Sequence, residues 1–62
     1  MKEFLNKKVK IRVSNPFNDF WLKKYNYGVL LEVKDDGSFI VKSEYMTLIY
    51  YNPDAWIVEL NE

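Results

Sequence analysis

Cysteine and histidine are both absent from this chain of 62 residues. Without thiols there is no disulfide framework and no zinc–thiolate centre to hold a small fold together. Without imidazole the chain lacks the commonest general base and the commonest neutral metal ligand. Glycine and proline occur only twice each, which excludes a collagen-like or linker-like polymer. Apolar runs such as Val29-Leu30-Leu31 are short, far below the about 20 residues of a membrane-spanning helix. The first residues include Glu3 and lead into no apolar stretch, so no secretory signal is expected. The expectation is a folded cytoplasmic domain with no membrane attachment.

What the chain has is apolar and aromatic mass. Hydrophobic residues make up 48% and aromatics 18%, as four Phe, two Trp and five Tyr, too apolar for an intrinsically disordered chain. The length leaves room for one core, so residues 1–62 read as a single domain. Aromatic side chains bury about 150–250 Å² each, and most of them are expected in the core. Self-association is the other usual support for a domain this small.

Charge balances in total, nine Lys and Arg against nine Asp and Glu, but not along the chain. Residues 1–31 carry seven cations and two acids, net +5; residues 32–62 carry two cations and seven acids, net −5. Such asymmetry marks either a basic face for nucleic acid or a bipolar molecule that docks on copies of itself. The simpler alternative is that folding interleaves the two halves.

The order of elements is legible. Met1, Phe4 and Leu5 have near-helical spacing and predict one or two helical turns over Met1–Lys7, which must lie against the rest of the domain. Lys8–Ser14 alternates strictly, Val9, Ile11 and Val13 on one face and Lys8, Lys10 and Arg12 on the other, the pattern of a half-buried strand. Ser14-Asn15-Pro16 breaks it, and Phe17–Phe20 reads as an aromatic-rich loop. A second strand is expected from about Leu22 to Lys34. Tyr25, Tyr27, Val29, Leu31 and Val33 share one face of it; Lys24, Asn26, Gly28, Leu30 and Glu32 share the other. Gly28 is expected at a bend or bulge that lets the first half pair with strand one and the second half with strand three. Asp35-Asp36-Gly37 predicts a hairpin turn with Gly37 at positive φ. Ser38–Ser43 is the third strand, Glu44-Tyr45-Met46 a connection, and Thr47–Tyr51 the fourth strand. Asn52-Pro53-Asp54-Ala55 places a capping residue before proline and predicts one tight 3₁₀ turn, followed by a fifth strand, Trp56–Leu60. The fold class is mainly β: five short strands, a bent second strand, a short N-terminal helix and a 3₁₀ turn before the last strand, curled into a small, partly open barrel.

The stretches GVLLEVKDDGSFIV and LIYYNPDAWIVEL carry a resemblance to the Sm-like branch of the SH3-like small barrels. The first resembles that family's bent strand, turn and third strand, with Gly28 at the bend; the second resembles its fourth strand, tight turn and fifth strand. The family is known for binding RNA through an acidic residue and an Asn around the turn after the bent strand. Those positions correspond to Lys34 and Ser38, where neither residue type is kept. Its second RNA-contact turn corresponds to Asn52-Pro53-Asp54-Ala55, which carries an acid. The resemblance thus implies the five-stranded small-barrel fold and assigns no binding residue.

Nothing in the sequence points to catalysis, and neither a cofactor, a metal nor a small-molecule substrate is expected. Asp35 and Asp36 are adjacent on a turn and point apart, whereas acid–base or metal chemistry needs converging oxygens. Ser14, Ser38, Ser43 and Thr47 have no histidine to activate them, and two isolated glycines make no phosphate loop.

Two binding readings remain. The fourth and fifth strands are apolar on both faces: Leu48 and Tyr50 oppose Ile49 and Tyr51, while Trp56, Val58 and Leu60 oppose Ile57. One face fills the core and the other needs cover, which points to a protein partner or a homo-oligomer, with Ile49, Tyr51, Trp56 and Ile57 as interface candidates. The alternative is a single-stranded RNA or DNA binder using the basic first-strand face, Lys8, Lys10 and Arg12, with Lys24 and Tyr25 beside it. A solvated face whose lysines discourage edge pairing is the simpler account of those cations. A bacterial or phage source fits either reading.

Overall fold

Strand β1 (Lys8–Val13) buries Val9 and Ile11 completely on one face, as its alternation requires. It lies in the computed structural model next to the middle of a five-stranded antiparallel sheet, which describes residues 1–14 and 25–61. The other strands are β2 (Asn26–Val33), β3 (Phe39–Lys42), β4 (Thr47–Tyr50) and β5 (Trp56–Leu60), in the spatial order β4-β3-β2-β1-β5. The turn expected at Asn15-Pro16, the loop Phe17–Phe20, the start of the long strand at Leu22 and the cation Lys24 lie outside the described residues.

The N-terminal segment forms a single 3₁₀ turn, Lys2–Phe4, the shorter end of the one or two helical turns expected. Asn6 takes a left-handed conformation (φ 64°), and its N–H donates to the Leu30 carbonyl at 2.7 Å. Three residues of helix are too short to stand alone, and Met1, Phe4 and Leu5 pack on the core. The second 3₁₀ turn, Pro53–Ala55, forms as expected with proline in its first turn. Asn52 does not cap it with its side chain; it supplies a left-handed backbone (φ 58°) instead.

Strand β2 divides its partners as the sequence suggests. Asn26–Val29 pair with β1 and Val29–Val33 pair with β3. Gly28 sits at this handover, but the irregularity in register falls between Leu30 and Glu32, at Leu31. The extra residue changes which face the strand's end presents. Leu30 is fully buried, Leu31 is exposed, and Val33 packs on the core. Val33 therefore does not share the outer face of Tyr25, Tyr27, Val29 and Leu31, because the bulge reverses the alternation after Leu30.

Gly28 is required by space and not by φ. A Cβ there would stand 2.6 Å from Val41 Cγ1 and 2.7 Å from the Lys42 carbonyl oxygen, so β3 passes too close for any side chain. Gly37 carries the positive φ (90°) of the β2–β3 turn and sits against the Pro53 ring. The turn is pinned by Asp36, whose carboxylate accepts hydrogen bonds from the Ser38 N–H (2.9 Å) and hydroxyl (2.6 Å). This is how the paired carboxylates are used: Asp36 satisfies the buried Ser38, and Asp35 is exposed.

The core comprises Val9, Ile11, Leu30, Phe39, Val41 and Tyr50, with Val58 and Trp56 packed against it. The expected closure into a barrel is not reached: among the described residues no ladder joins β4 to β5. The two outer strands meet through side chains at one corner. Trp56 stands edge-on to Tyr50 (centroids 5.0 Å, 84°) and donates its indole N–H to the Tyr51 carbonyl at 3.0 Å. Five residues separate Tyr50 from Trp56, and three of them, Pro53–Ala55, form the 3₁₀ turn that leads the chain from β4 to β5.

Candidate functional site

Two surfaces collect the residues singled out above. The first is β4 with the chain around it. Phe39 and Val41 of β3 point inward, so Ile40 and Ile49, paired across β3 and β4, occupy the outer face. Ile49 is 42% exposed, Leu48 41%, and Tyr51, just past the strand, 67%. Three of the four residues of β4 are exposed, and only Tyr50 is buried. Leu48 pairs with the buried Val41 and so belongs to the inner face by register, yet it remains open because the sheet ends there.

The four interface candidates do not form one patch. Ile49 lies on β4 and Ile57 on β5, at opposite ends of the strand order. Ile57 is half-buried opposite Arg12. Trp56 is held inward by its contact with Tyr50 and its bond to Tyr51. Met46, 56% exposed next to β4, and Leu48 were not singled out, because two-residue periodicity does not reveal which strand ends the sheet.

The second surface is the outer face of β1 and β2. Here folding interleaves the basic and acidic halves of the chain. Strand β1 pairs with β5 so that Lys10 lies opposite Glu59, and its ammonium reaches that carboxylate at 3.7 Å. The same ammonium lies 5.1 Å from the centroid of the Tyr25 ring, a cation–π arrangement. Arg12 is half-buried opposite Ile57. Lys8 is exposed, opposite Val29 of β2. Of the expected basic face, then, Lys8 faces solvent, Lys10 is engaged by Glu59 and Tyr25, and Lys24 lies outside the described residues.

Beside Lys8 runs an open groove of about 620 Å³ between the outer face of β2 and the β3–β4 connection. Tyr25, Tyr27, Lys42 and Tyr45 line it with Lys8. Tyr25 and Tyr27 share a face, with ring centroids 6.2 Å apart. Tyr27 is 54% exposed and Tyr45 86%, so their rings are not spent on the core. Lys42 and Tyr45 join the site only because the β3–β4 hairpin returns beside the start of β2; they are distant in sequence from β1, which is why the linear reading missed them. Lys34 and Ser38 lie at the turn at the other end of the β2–β3 hairpin.

Among the described residues no group of three or more acidic side chains is placed to hold a metal ion, and no helix is long and apolar enough to cross a membrane. No family model, no curated protein and no solved structure matches this chain.

Proposed function

We propose that this chain is a non-catalytic binding module whose open five-stranded sheet is a relative of the SH3-like and Sm-like folds, and that it acts through protein contacts and associates with a second copy of itself along β4. The observation that carries this reading is the character of β4 as a sheet edge. Edge strands are ordinarily protected by lysine, proline or a bulge. Strand β4, Thr-Leu-Ile-Tyr, has no charge, no proline and no register shift. It exposes Leu48 and Ile49 on its two faces. Edge-to-edge pairing of β4 with β4 of a second molecule about a two-fold axis brings no like charges together, continues the sheet, and sets Leu48 and Ile49 beside their counterparts across the new ladder. The other outer strand, β5, carries Glu59 and is the poorer self-partner.

Sedimentation velocity over the micromolar range tests this. The wild-type chain is expected to sediment as a dimer or larger species. Leu48→Lys and Ile49→Lys, both at exposed positions, are expected to sediment as monomers with an unchanged far-ultraviolet spectrum. A wild-type chain that stays monomeric throughout the range overturns the proposal.

A further inference from the structure

The groove beside Lys8 has a composition that neither the core nor the β4 edge explains. Three tyrosines, Tyr25, Tyr27 and Tyr45, share it with two lysines, Lys8 and Lys42, and none of the β4 residues lines it. A domain with so small a core gains little by leaving Tyr45 86% and Tyr27 54% in water, since burying such rings is its main source of stability.

We infer that this groove binds single-stranded nucleic acid, with bases stacked on the tyrosines and backbone phosphates on Lys8 and Lys42. Aromatic platforms beside cations suit that ligand because every base presents a π-face and every linkage a negative charge. Tyr25 and Tyr27, on one strand face with centroids 6.2 Å apart, offer two neighbouring surfaces, and Tyr45 approaches from the opposite wall. Glu44 also lines the groove and sets one acid against its two lysines. Duplex DNA is a poor fit, because its paired bases cannot reach the rings. The inference does not rest on self-association: the groove and the β4 edge share no residue.

Fluorescence anisotropy with labelled oligo-dT and oligo-rU of about ten nucleotides tests it. Saturable binding is expected at about 50 mM salt, with log K falling against log salt with a slope of about −1.4 for two phosphates on a single strand. Tyr27→Ala and Tyr45→Ala, at exposed positions, are each expected to weaken binding by about tenfold. Lys42→Glu is expected to weaken it at least as much, whereas Lys34→Glu, at the far turn, changes it by less than about twofold. No saturable binding at low salt overturns the inference. So does equal affinity for a duplex, or a loss in Lys34→Glu as large as in Lys42→Glu, either of which marks diffuse electrostatic attraction instead of a stacking groove.

Discussion

Tyr50 lies almost flat on Phe39, with ring centroids 5.0 Å apart and planes 9° from parallel. The pair spans β3 and β4 opposite one another in register, and Trp56 of β5 closes it from the side. The three rings thus join β4 to β5, which no ladder pairs directly among the described residues, and they do so beside a core of six buried apolar residues among those described.

Trp56 is accordingly expected to matter more than its partial exposure suggests. Trp56→Phe removes the indole N–H bond to the Tyr51 carbonyl and part of the edge contact, and should cost about 1–2 kcal/mol. Trp56→Ala should cost about 3–5 kcal/mol, a large share of the stability of so small a domain. Urea unfolding followed by circular dichroism measures both, and a Trp56→Phe midpoint equal to wild type removes the corner contact as a stabilising feature.

Gly28→Ala tests the close approach of β3. The added Cβ meets Val41 Cγ1 and the Lys42 carbonyl oxygen at once, and should cost about 1–3 kcal/mol. In a Val41→Ala background the penalty should shrink without vanishing, because the side-chain obstacle is gone while the backbone oxygen stays. Thermal melts of the four proteins give the cycle; a Gly28→Ala chain that melts with wild type removes the steric role assigned to this glycine.

Asp36 links the β2–β3 turn to pH. The hydrogen bonds from the Ser38 hydroxyl and N–H, reinforced weakly by the Lys34 charge, hold its carboxyl below the ordinary 3.8. The folded chain therefore binds this proton more weakly than the unfolded chain does. The resulting stability is present above about pH 4 and is lost as pH falls through the folded-state value. Acid titration of the melting temperature should show wild type losing more stability below pH 4 than Asp36→Asn, which lacks the titrating group.

Tyr50 acts at the other end of the scale. Burial pushes its phenol above the ordinary 10.0, partly offset by a hydrogen bond with Asn26. The folded state resists ionisation, so stability is complete below about pH 10 and declines as pH rises through the folded-state value. Tyr50→Phe should flatten that alkaline decline, and an unchanged alkaline limb in the variant would assign it to other groups.

Glu59→Gln should do little to stability. The Lys10–Glu59 pair spans 3.7 Å with both side chains partly in water, and exposed pairs of this kind contribute under about 1 kcal/mol. A larger loss in urea unfolding would mean that pairing β5 to β1 depends on this ion pair more than on the apolar Val58 beside it.

Much of the strand pattern could be read along the chain because a strand's alternation is a local property. Val9 and Ile11 against Lys8 and Lys10 predicts the buried face of β1, and Asp-Asp-Gly predicts the turn that Gly37 makes. The bulge at Leu31 could not be read in the same way. Nothing in Leu30-Leu31-Glu32-Val33 distinguishes an outward Val33 from an inward one; the choice belongs to Phe39, which Val33 meets only across the β2–β3 ladder. The groove escaped for the same reason, since Lys42 and Tyr45 reach Lys8 and Tyr27 only through pairing between strands.

By itself, the amino-acid sequence pointed to a small β-rich fold with five strands in this order and a tight proline turn before the last. Those outcomes follow from residue type and spacing, which act over a few positions. The core it led one to expect as mostly aromatic is, among the described residues, Phe39 and Tyr50 with the aliphatic Val9, Ile11, Leu30 and Val41, while Tyr27, Tyr45 and Tyr51 are exposed. Tertiary structure decided which strands lie at the edges, where the alternation breaks, and how charge is spread. The antiparallel pairing of β1 with β5 sets Lys10 beside Glu59 and cancels part of an asymmetry that is plain in the linear chain. Among the described residues it also leaves β4, whose residues look like any interior strand, at the edge of the sheet. Exposure and charge depend on neighbours in space, and for an antiparallel sheet those neighbours come from distant parts of the chain.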